Sequence, residues 1–128
     1  MVFTKDNSDL FYTVNVHDHI FDSLYFDREG DVLTLSILDE NGSLYKIRYH
    51  NTAGYLMSAG DYWLPSPHIF DVGVPSVEQE ELLPFLKQRR APTTECKLDS
   101  DIAFFESYMQ LTSGDILLVV CESIEVER

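Results

Sequence analysis

The sequence contains little cysteine, few basic residues and no long apolar run. Its two cysteines, Cys96 and Cys121, are too few for the disulfide framework of a small secreted domain. The longest apolar runs, such as residues 116–121, are far too short to span a bilayer. The first residues also lack the basic region and the apolar stretch of a secretory signal. These absences indicate a cytoplasmic protein that does not bind a membrane.

Basic residues are scarce, since nine lysines and arginines stand against 22 aspartates and glutamates, giving a net charge of −13. Such an excess of negative charge repels the phosphate backbone of nucleic acids, so DNA and RNA are disfavoured as partners. It would attract a basic protein by long-range steering. An acidic composition also serves solubility alone, and the sequence leaves these two explanations about equally open.

The chain carries no motif of a known catalytic site. It lacks G-x-S-x-G, H-E-x-x-H, a Walker loop and a dinucleotide-binding fingerprint. Its 128 residues, 45% of them hydrophobic, suit one domain with its own core, and we expect a single domain over residues 1–128. We expect this domain to be non-catalytic and to need no cofactor.

The central feature of the sequence is a hairpin over residues 31–49, in which apolar and polar residues alternate on both strands. A three-residue loop over 40–42 places both apolar sets on one face and opposes Ile37 to Tyr45, whereas a two-residue loop would mix the faces. The three-residue loop requires Gly42 in the left-handed region, where a glycine has no steric penalty.

Two other glycines follow the same pattern. A loop over 28–30 predicts Tyr25 opposite Leu33, and a loop over 112–114 predicts Met109 opposite Leu117. Three such loops favour an antiparallel β-meander. The predicted strands around the central hairpin lie at residues 10–17, 20–27, 51–58, 102–111, and 116–121 with an extension through Ile124 and Val126. A helix remains an alternative for 102–111, and an irregular return for 51–58.

One helical segment is predicted at about residues 76–88. Ser76 and Gln79 match a capping box, and acidic residues precede basic ones, as the helix dipole prefers. Pro84 interrupts the segment, so the helix either kinks or begins anew there. The predicted fold class is therefore α+β, mainly an antiparallel β-meander sheet with one helical segment packed on it.

A possible metal site is formed by His17 and His19, which are two residues apart and would point the same way on a strand. A third ligand would have to come from Asp22, His50 or His68 through folding. The simpler interpretation is that Asp18 caps a bend and both histidines lie at the surface, so we predict no metal. A metal-dependent hydrolase using His17 and His19 is the alternative.

The predicted partner-binding residues are Asp61, Tyr62, Trp63 and His68, which belong to a proline-interrupted loop over residues 60–70. Tyrosine and tryptophan are enriched at binding hot spots, and loops often carry function. The alternative is structural, since Trp63 would also serve as a plug at the end of a small core.

Three stretches resemble a known group of proteins: His17-Asp18 followed by Ile20, the strand at 31–35, and the segment 61–69. Over residues 16–90 they are similar to small bacterial proteins in the style of the immunity proteins that neutralise polymorphic toxins. The resemblance implies binding of a basic toxin domain and supplies no catalytic residues. A structural or regulatory homo-oligomeric subunit, associating through sheet edges, is a further alternative. The sequence does not determine the oligomeric state.

Overall fold

The fold is α+β, as the sequence predicts. A computed structural model describes residues 1–58, 67–89 and 96–128. The strands are β1 (Val2–Thr4), β2 (Ile20–Asp27), β3 (Val32–Leu38), β4 (Leu44–His50), β5 (Gly54–Met57), β6 (Ile69–Gly73), β7 (Phe105–Leu111), β8 (Ile116–Cys121) and β9 (Ser123–Glu127). The α-helix is α1 (Leu82–Gln88), and short 3-10 helices occupy Ser8–Thr13, Val77–Gln79 and Lys97–Asp99.

The strands divide between two antiparallel sheets. One has the order β1-β9-β4-β3-β2 and the other has the order β5-β8-β7-β6. The main core combines apolar side chains from both sheets, with Leu35 and Ile47 from the first and Met109 and Val119 from the second. A smaller core lies on the other face of the second sheet, where α1 contributes Leu82, Leu83 and Leu86. The helix therefore packs on the four-stranded sheet.

The central hairpin has the predicted register. Leu33 pairs with Tyr49 and Ile37 pairs with Tyr45, so both apolar sets lie in the core. Asp39 N–H donates to the Ser43 carbonyl at 3.0 Å, which closes a three-residue loop, and Gly42 has φ +80°.

The hairpin between β7 and β8 also has the predicted register. Met109 pairs with Leu117, and Gly114 has φ +90°. Residues 102–111 therefore contain a strand, and β8 is covered on both faces, as predicted. Leu117 and Val119 contact the main core, and Leu118 and Val120 contact the core under α1.

The register predicted for the β2–β3 connection is wrong by one residue. Phe26, not Tyr25, pairs with Leu33, because the loop has four residues and Asp31 takes the positive φ of 53°. Aspartate tolerates this region better than most residues with a side chain. The longer loop turns Phe26 toward the core and leaves Tyr25 67% exposed.

The N-terminal prediction is also wrong. Residues 8–13 form a 3-10 helix rather than part of a strand over 10–17, and Val2–Thr4 pairs with β9. Phe11 is fully buried while Tyr12 is 65% exposed. Burying one large aromatic ring outweighs the weak alternation of the stretch, since such a ring contributes more to the core than the smaller residues around it.

The predicted extension of β8 does not occur. The chain leaves the four-stranded sheet after Cys121, and Ile124 lies in β9, between β1 and β4 of the other sheet. Ile124 is nevertheless fully buried, because its new sheet faces the same core. The alternation of apolar residues indicates which side chains are buried, but it does not indicate which of the two sheets a strand joins.

The helix begins later than predicted, at Leu82, and Ser76 makes no side-chain capping hydrogen bond. Glu106 of β7 caps it instead. Its carboxylate accepts hydrogen bonds from the N–H groups of Leu83 at 2.7 Å and Glu81 at 3.1 Å. Pro84 then falls in the first turn, where a missing N–H causes no loss.

Candidate functional site

The cleft that best fits a functional site lies beside the turn between β3 and β4 and has a volume of about 460 Å³. We call it the acidic cleft. Its lining residues come from the segment before β2, the β3–β4 hairpin and the end of the chain: Asn15, His17, Asp18, His19, Asp39, Glu40, Tyr45 and Arg128. The fold thus brings the two histidines singled out in the sequence together with acidic residues of the central turn.

The segment that carries the histidines is a tight turn at Asp18, as the simpler interpretation of the sequence expects, with His17 exposed and His19 half-buried. Asp18 has φ +64°, and its N–H donates to the Ile69 carbonyl at 2.8 Å. The N–H of Ile69 returns a hydrogen bond to the His19 carbonyl at 2.8 Å. These two bonds fix the turn against β6, so the histidine positions are set by the rigid sheet.

Each histidine uses Nδ1 to bind a backbone carbonyl. His17 Nδ1 lies 2.8 Å from the Phe70 oxygen, and His19 Nδ1 lies 3.3 Å from the His17 oxygen. A carbonyl only accepts, so each Nδ1 carries the hydrogen and each Nε2 keeps its lone pair in the neutral ring. His17 Nε2 lies 3.5 Å from Asp18 Oδ2, whereas His19 Nε2 is buried without a hydrogen-bond partner in the described part of the chain.

A metal site would need more ligands than these two histidines. Among residues 1–58, 67–89 and 96–128, no group of three or more His, Cys, Asp or Glu side chains has the arrangement of a metal site. His50, a third ligand considered from the sequence, lies 3.0 Å from Glu125 through its Nε2 and does not line the cleft. Asp22 and His68 are likewise not among the lining residues.

The electrostatics of the acidic cleft are set by three carboxylates and one guanidinium. Asp39 Oδ1 accepts from the N–H groups of Asn41 at 2.9 Å and Ser43 at 2.8 Å, so this oxygen holds the turn. The side chain of Asp18 is 69% exposed, and Glu40 is exposed as well. Arg128 places its guanidinium carbon 5.3 Å from the centre of the Tyr45 ring. A cation over an aromatic face is attracted by the ring quadrupole.

The predicted partner-binding loop is described only at its end. Asp61, Tyr62 and Trp63 lie outside the described residues. His68 is half-buried, its N–H donates to Thr112 Oγ1 at 3.2 Å, and its backbone forms an antiparallel bridge with Ile20. The end of the loop therefore joins the strand that begins next to His19, close to the acidic cleft.

Sequence reasoning missed five of the cleft residues, namely Asn15, Asp39, Glu40, Tyr45 and Arg128. The hairpin register did place Asp39 and Glu40 at the central turn and Tyr45 just after it. Nothing in the local pattern shows which other segment meets that turn, since the contact joins residues far apart in the sequence.

The hydroxyl of Tyr49 and the thiol of Cys121 are both buried, and burial makes both groups unreactive. Burial raises the pKa of the Tyr49 hydroxyl and of the Cys121 thiol far above their usual ranges. A buried thiol without a nearby cation stays protonated and is a poor nucleophile. Cys121 is thus the small buried apolar residue that the sequence predicted.

Comparisons with known proteins identify the fold and no activity. No protein-family model matches the chain, and no curated protein matches it. The chain is similar in fold to the crystal structure of an uncharacterized protein from Neisseria gonorrhoeae, with a TM-score of 0.52, 16% sequence identity, and coverage of 88% of this chain and 92% of that one. This level of identity supports the shared fold alone. No helix in the described ranges is long and apolar enough to cross a membrane.

Proposed function

We propose that this protein is a non-catalytic binding domain for a basic protein, and that its partner is a toxin domain that it neutralises. The observation that carries the proposal is the acidic cleft, where Asp18, Asp39 and Glu40 converge from two separate segments. A lysine or arginine of a partner would meet several carboxylates there at once. Such charge complementarity accelerates association and rejects acidic competitors.

The charge of the whole chain supports the same proposal. The net charge of −13 gives a field that steers a cationic partner toward the surface, in addition to the contacts made in the cleft. One carboxylate of the cleft, that of Asp39, is held in place by hydrogen bonds from two backbone N–H groups of its turn. Preorganised carboxylates lose less entropy when a partner binds.

The predicted loop remains part of the proposal. Asp61, Tyr62, Trp63 and His68 are the partner-binding residues that the sequence predicts, and the described end of the loop, at His68, forms a bridge with Ile20 beside the histidine segment. We propose a cytoplasmic location, in which Cys96 and Cys121 stay reduced, as their unpaired state in the fold allows. The hydrolase alternative has less support because the described residues supply two histidines and no third ligand.

Coexpression tests the proposed function. Basic toxin domains from candidate neighbouring genes are each expressed in a bacterial host with and without the chain, and we expect growth to be restored for one of them only when the chain is present. The purified pair should form a complex, and Asp39→Asn with Glu40→Gln should weaken it. Growth arrest that persists at full expression of the folded chain would exclude the immunity role.

A further inference from the structure

A second surface differs from the acidic cleft in being mainly apolar. It is a groove between β5, α1 and the end of β2. We call it the edge groove. Two contiguous openings of about 400 Å³ and 260 Å³ share Leu56, Leu82 and Phe85 in their lining. Leu56 is 52% exposed and Phe85 is 55% exposed, although both are large and apolar. Contiguous exposed apolar side chains commonly mark a site of interaction.

The edge groove runs along a strand edge that has unused backbone groups. β5 is the outer strand of its sheet and pairs only with β8 in the described structure. Ser58 N–H donates to the Ile116 carbonyl at 3.1 Å, and alternate residues of an antiparallel pair point toward the partner, so Leu56 also faces β8. Tyr55 and Met57 direct their N–H and C=O groups outward, where no described residue hydrogen-bonds them.

Side chains from both faces of β5 line this groove. Tyr55 lies on the face toward the first sheet, with its ring centre 5.3 Å from that of Phe26. Leu56 lies on the opposite face, near Phe85 of the helix. Successive side chains of an extended chain point to opposite faces, so a strand added beside β5 would place one set of side chains against Tyr55 and the other against Leu56.

The larger opening of the edge groove is lined by two arginines and no carboxylate, whereas Glu81 lines the smaller opening. Arg28 and Arg89 both line the groove, and neither forms an ion pair with a described residue. Two other basic residues, Arg48 and Lys97, are paired with carboxylates of Glu127 and Asp31. In a chain with a net charge of −13, two arginines that have no ion pair among the described residues and lie beside one apolar groove favour a ligand that carries carboxylates.

We propose that the edge groove binds an extended segment of a protein partner, which adds as a strand to the outer edge of β5. Its backbone would pair with Tyr55 and Met57, alternate apolar side chains would contact the groove, and Asp or Glu residues would pair with Arg28 and Arg89. This is recognition by β-strand addition, in which the backbone supplies affinity and the pockets supply specificity. It is independent of the acidic cleft and of the toxin.

Selection from a random peptide library displayed on phage tests the proposal with the whole chain as bait. The enriched peptides should share alternating apolar residues with at least one Asp or Glu, and a synthetic copy should bind in calorimetry. Enrichment of lysine-rich or arginine-rich peptides, or no shared pattern, would overturn the proposal.

Matched variants locate the bound peptide. Leu56→Asn and Phe85→Ser should each weaken binding about tenfold, as expected for central contact side chains. The controls are Leu44→Asn and Phe70→Ser, at residues that are 49% and 54% exposed and lie outside the edge groove.

The double variant Arg28→Gln with Arg89→Gln tests the charge preference. It should lower the affinity for acidic peptides about threefold, with Lys5→Gln as the control. Equal binding by test and control variants of unchanged melting temperature would refute the site.

Hydrogen exchange separates strand addition from simple apolar contact. In the protein alone, the amides of Tyr55 and Met57 should exchange much faster than the amide of Leu56, and the peptide should slow both. A peptide that binds but leaves both amides fast would refute strand addition. Sedimentation analysis must also show no dimer that Leu56→Asn dissociates, because such a dimer would assign the groove to a second copy of the chain.

Discussion

Glu106 and Leu83 are joined by a buried hydrogen bond that connects strand β7 to the first turn of α1. The carboxylate accepts from the Leu83 N–H at 2.7 Å, and Glu106 is only 1% exposed. A charged side chain is rarely buried unless its hydrogen bonds are satisfied. Two N–H groups at the start of the helix supply the hydrogen bonds that the Glu106 carboxylate needs. The same bonds give these N–H groups an acceptor that the helix itself does not provide.

Replacement of Glu106 should therefore destabilise the protein strongly. We expect Glu106→Ala to lower the free energy of unfolding by about 2–3 kcal/mol, because it leaves the buried N–H of Leu83 and the partly buried N–H of Glu81 without a partner. Glu106→Gln keeps one acceptor oxygen and should cost roughly half as much on the same grounds. Urea denaturation measures both, with Glu78→Ala on the exposed surface as control. Equal midpoints for Glu106→Ala and the control would contradict the capping role.

The turn glycines should respond to an added Cβ according to their φ angles. Gly42→Ala and Gly114→Ala should each cost about 1 kcal/mol, because both glycines have positive φ. Gly30→Ala is the matched control. Gly30 does not have a positive φ, and its Cβ would lie 3.5 Å from a Val32 methyl group, an ordinary contact. Thermal or urea unfolding of the three variants gives the comparison, and a loss at Gly30 as large as at Gly42 would contradict the assigned loops.

The acidic cleft should control the rate of complex formation with a basic partner. Asp39→Asn with Glu40→Gln should slow association with the toxin domain several-fold, and raised salt should slow the wild type, since screening acts over about 10 Å at 0.1 M. Asn at position 39 keeps an acceptor for the turn amides, so the fold should survive. Stopped-flow kinetics gives the rates, with Glu78→Gln as the charge control.

The predicted loop is tested with the same toxin domain. Asp61→Ala and Tyr62→Ala, each with an unchanged melting temperature, should weaken the complex if the loop contacts the partner, because they remove charge and aromatic area. Calorimetry gives the affinities. Wild-type affinity in both variants, together with weak binding in the cleft variants, would confine the interface to the cleft.

We expect no stoichiometric metal at His17 and His19. His17 and His19 both line the cleft, but His19 Nε2 is buried, while zinc sites in proteins need three or four protein ligands. Elemental analysis of the purified chain checks this, with His50→Ala as control, since His50 is bound to Glu125. One tightly held metal ion per chain, lost in His17→Ala and retained in His50→Ala, would instead support the hydrolase.

The contact with His50 should lower the pKa of Glu125. The hydrogen bond from His50, with the positive charges of His50 and Arg48, holds the pKa of Glu125 below its usual range. A lowered carboxylate pKa contributes stability that is present above the ordinary value of about 4.3 and is lost as the pH falls through the folded pKa. Carbon-detected NMR should show the Glu125 pKa rising in His50→Ala, with Glu78 unchanged as internal reference. An unshifted Glu125 would contradict the pairing.

The sequence predicts those parts of the fold in which one residue determines a local geometry. Gly42 and Gly114 each fix a loop length, and with it the register of a whole hairpin. The register predicted for the β2–β3 connection is wrong because Asp31, and not its neighbour Gly30, takes the left-handed conformation. The alternation of apolar and polar residues does not predict that the chain changes sheet after Cys121, because both sheets bury apolar side chains in the same core.

Among the cleft residues, the sequence singles out only His17, Asp18 and His19, and it considers them as a possible metal site and not as a partner-binding site. His17 and His19 stand out in the sequence because only one residue separates them, and both line the cleft. Asp39 and Arg128 join them only through tertiary packing, which depends on how β6 holds the histidine turn. The helix cap shows the same limit: Ser76 had the correct local pattern, yet a residue from another strand, Glu106, provides the hydrogen bonds.

The position of β9 between β1 and β4 determines the order in which the first sheet can assemble. The hairpins of β2, β3 and β4 join neighbouring segments, so their loops close at low entropic cost. His50 and Glu125, which meet across β4 and β9, are 75 residues apart in sequence. Pairings of that separation form late and slow the folding reaction. β1, although first in sequence, must wait for β9, so the time course of folding runs from the middle of the chain outward.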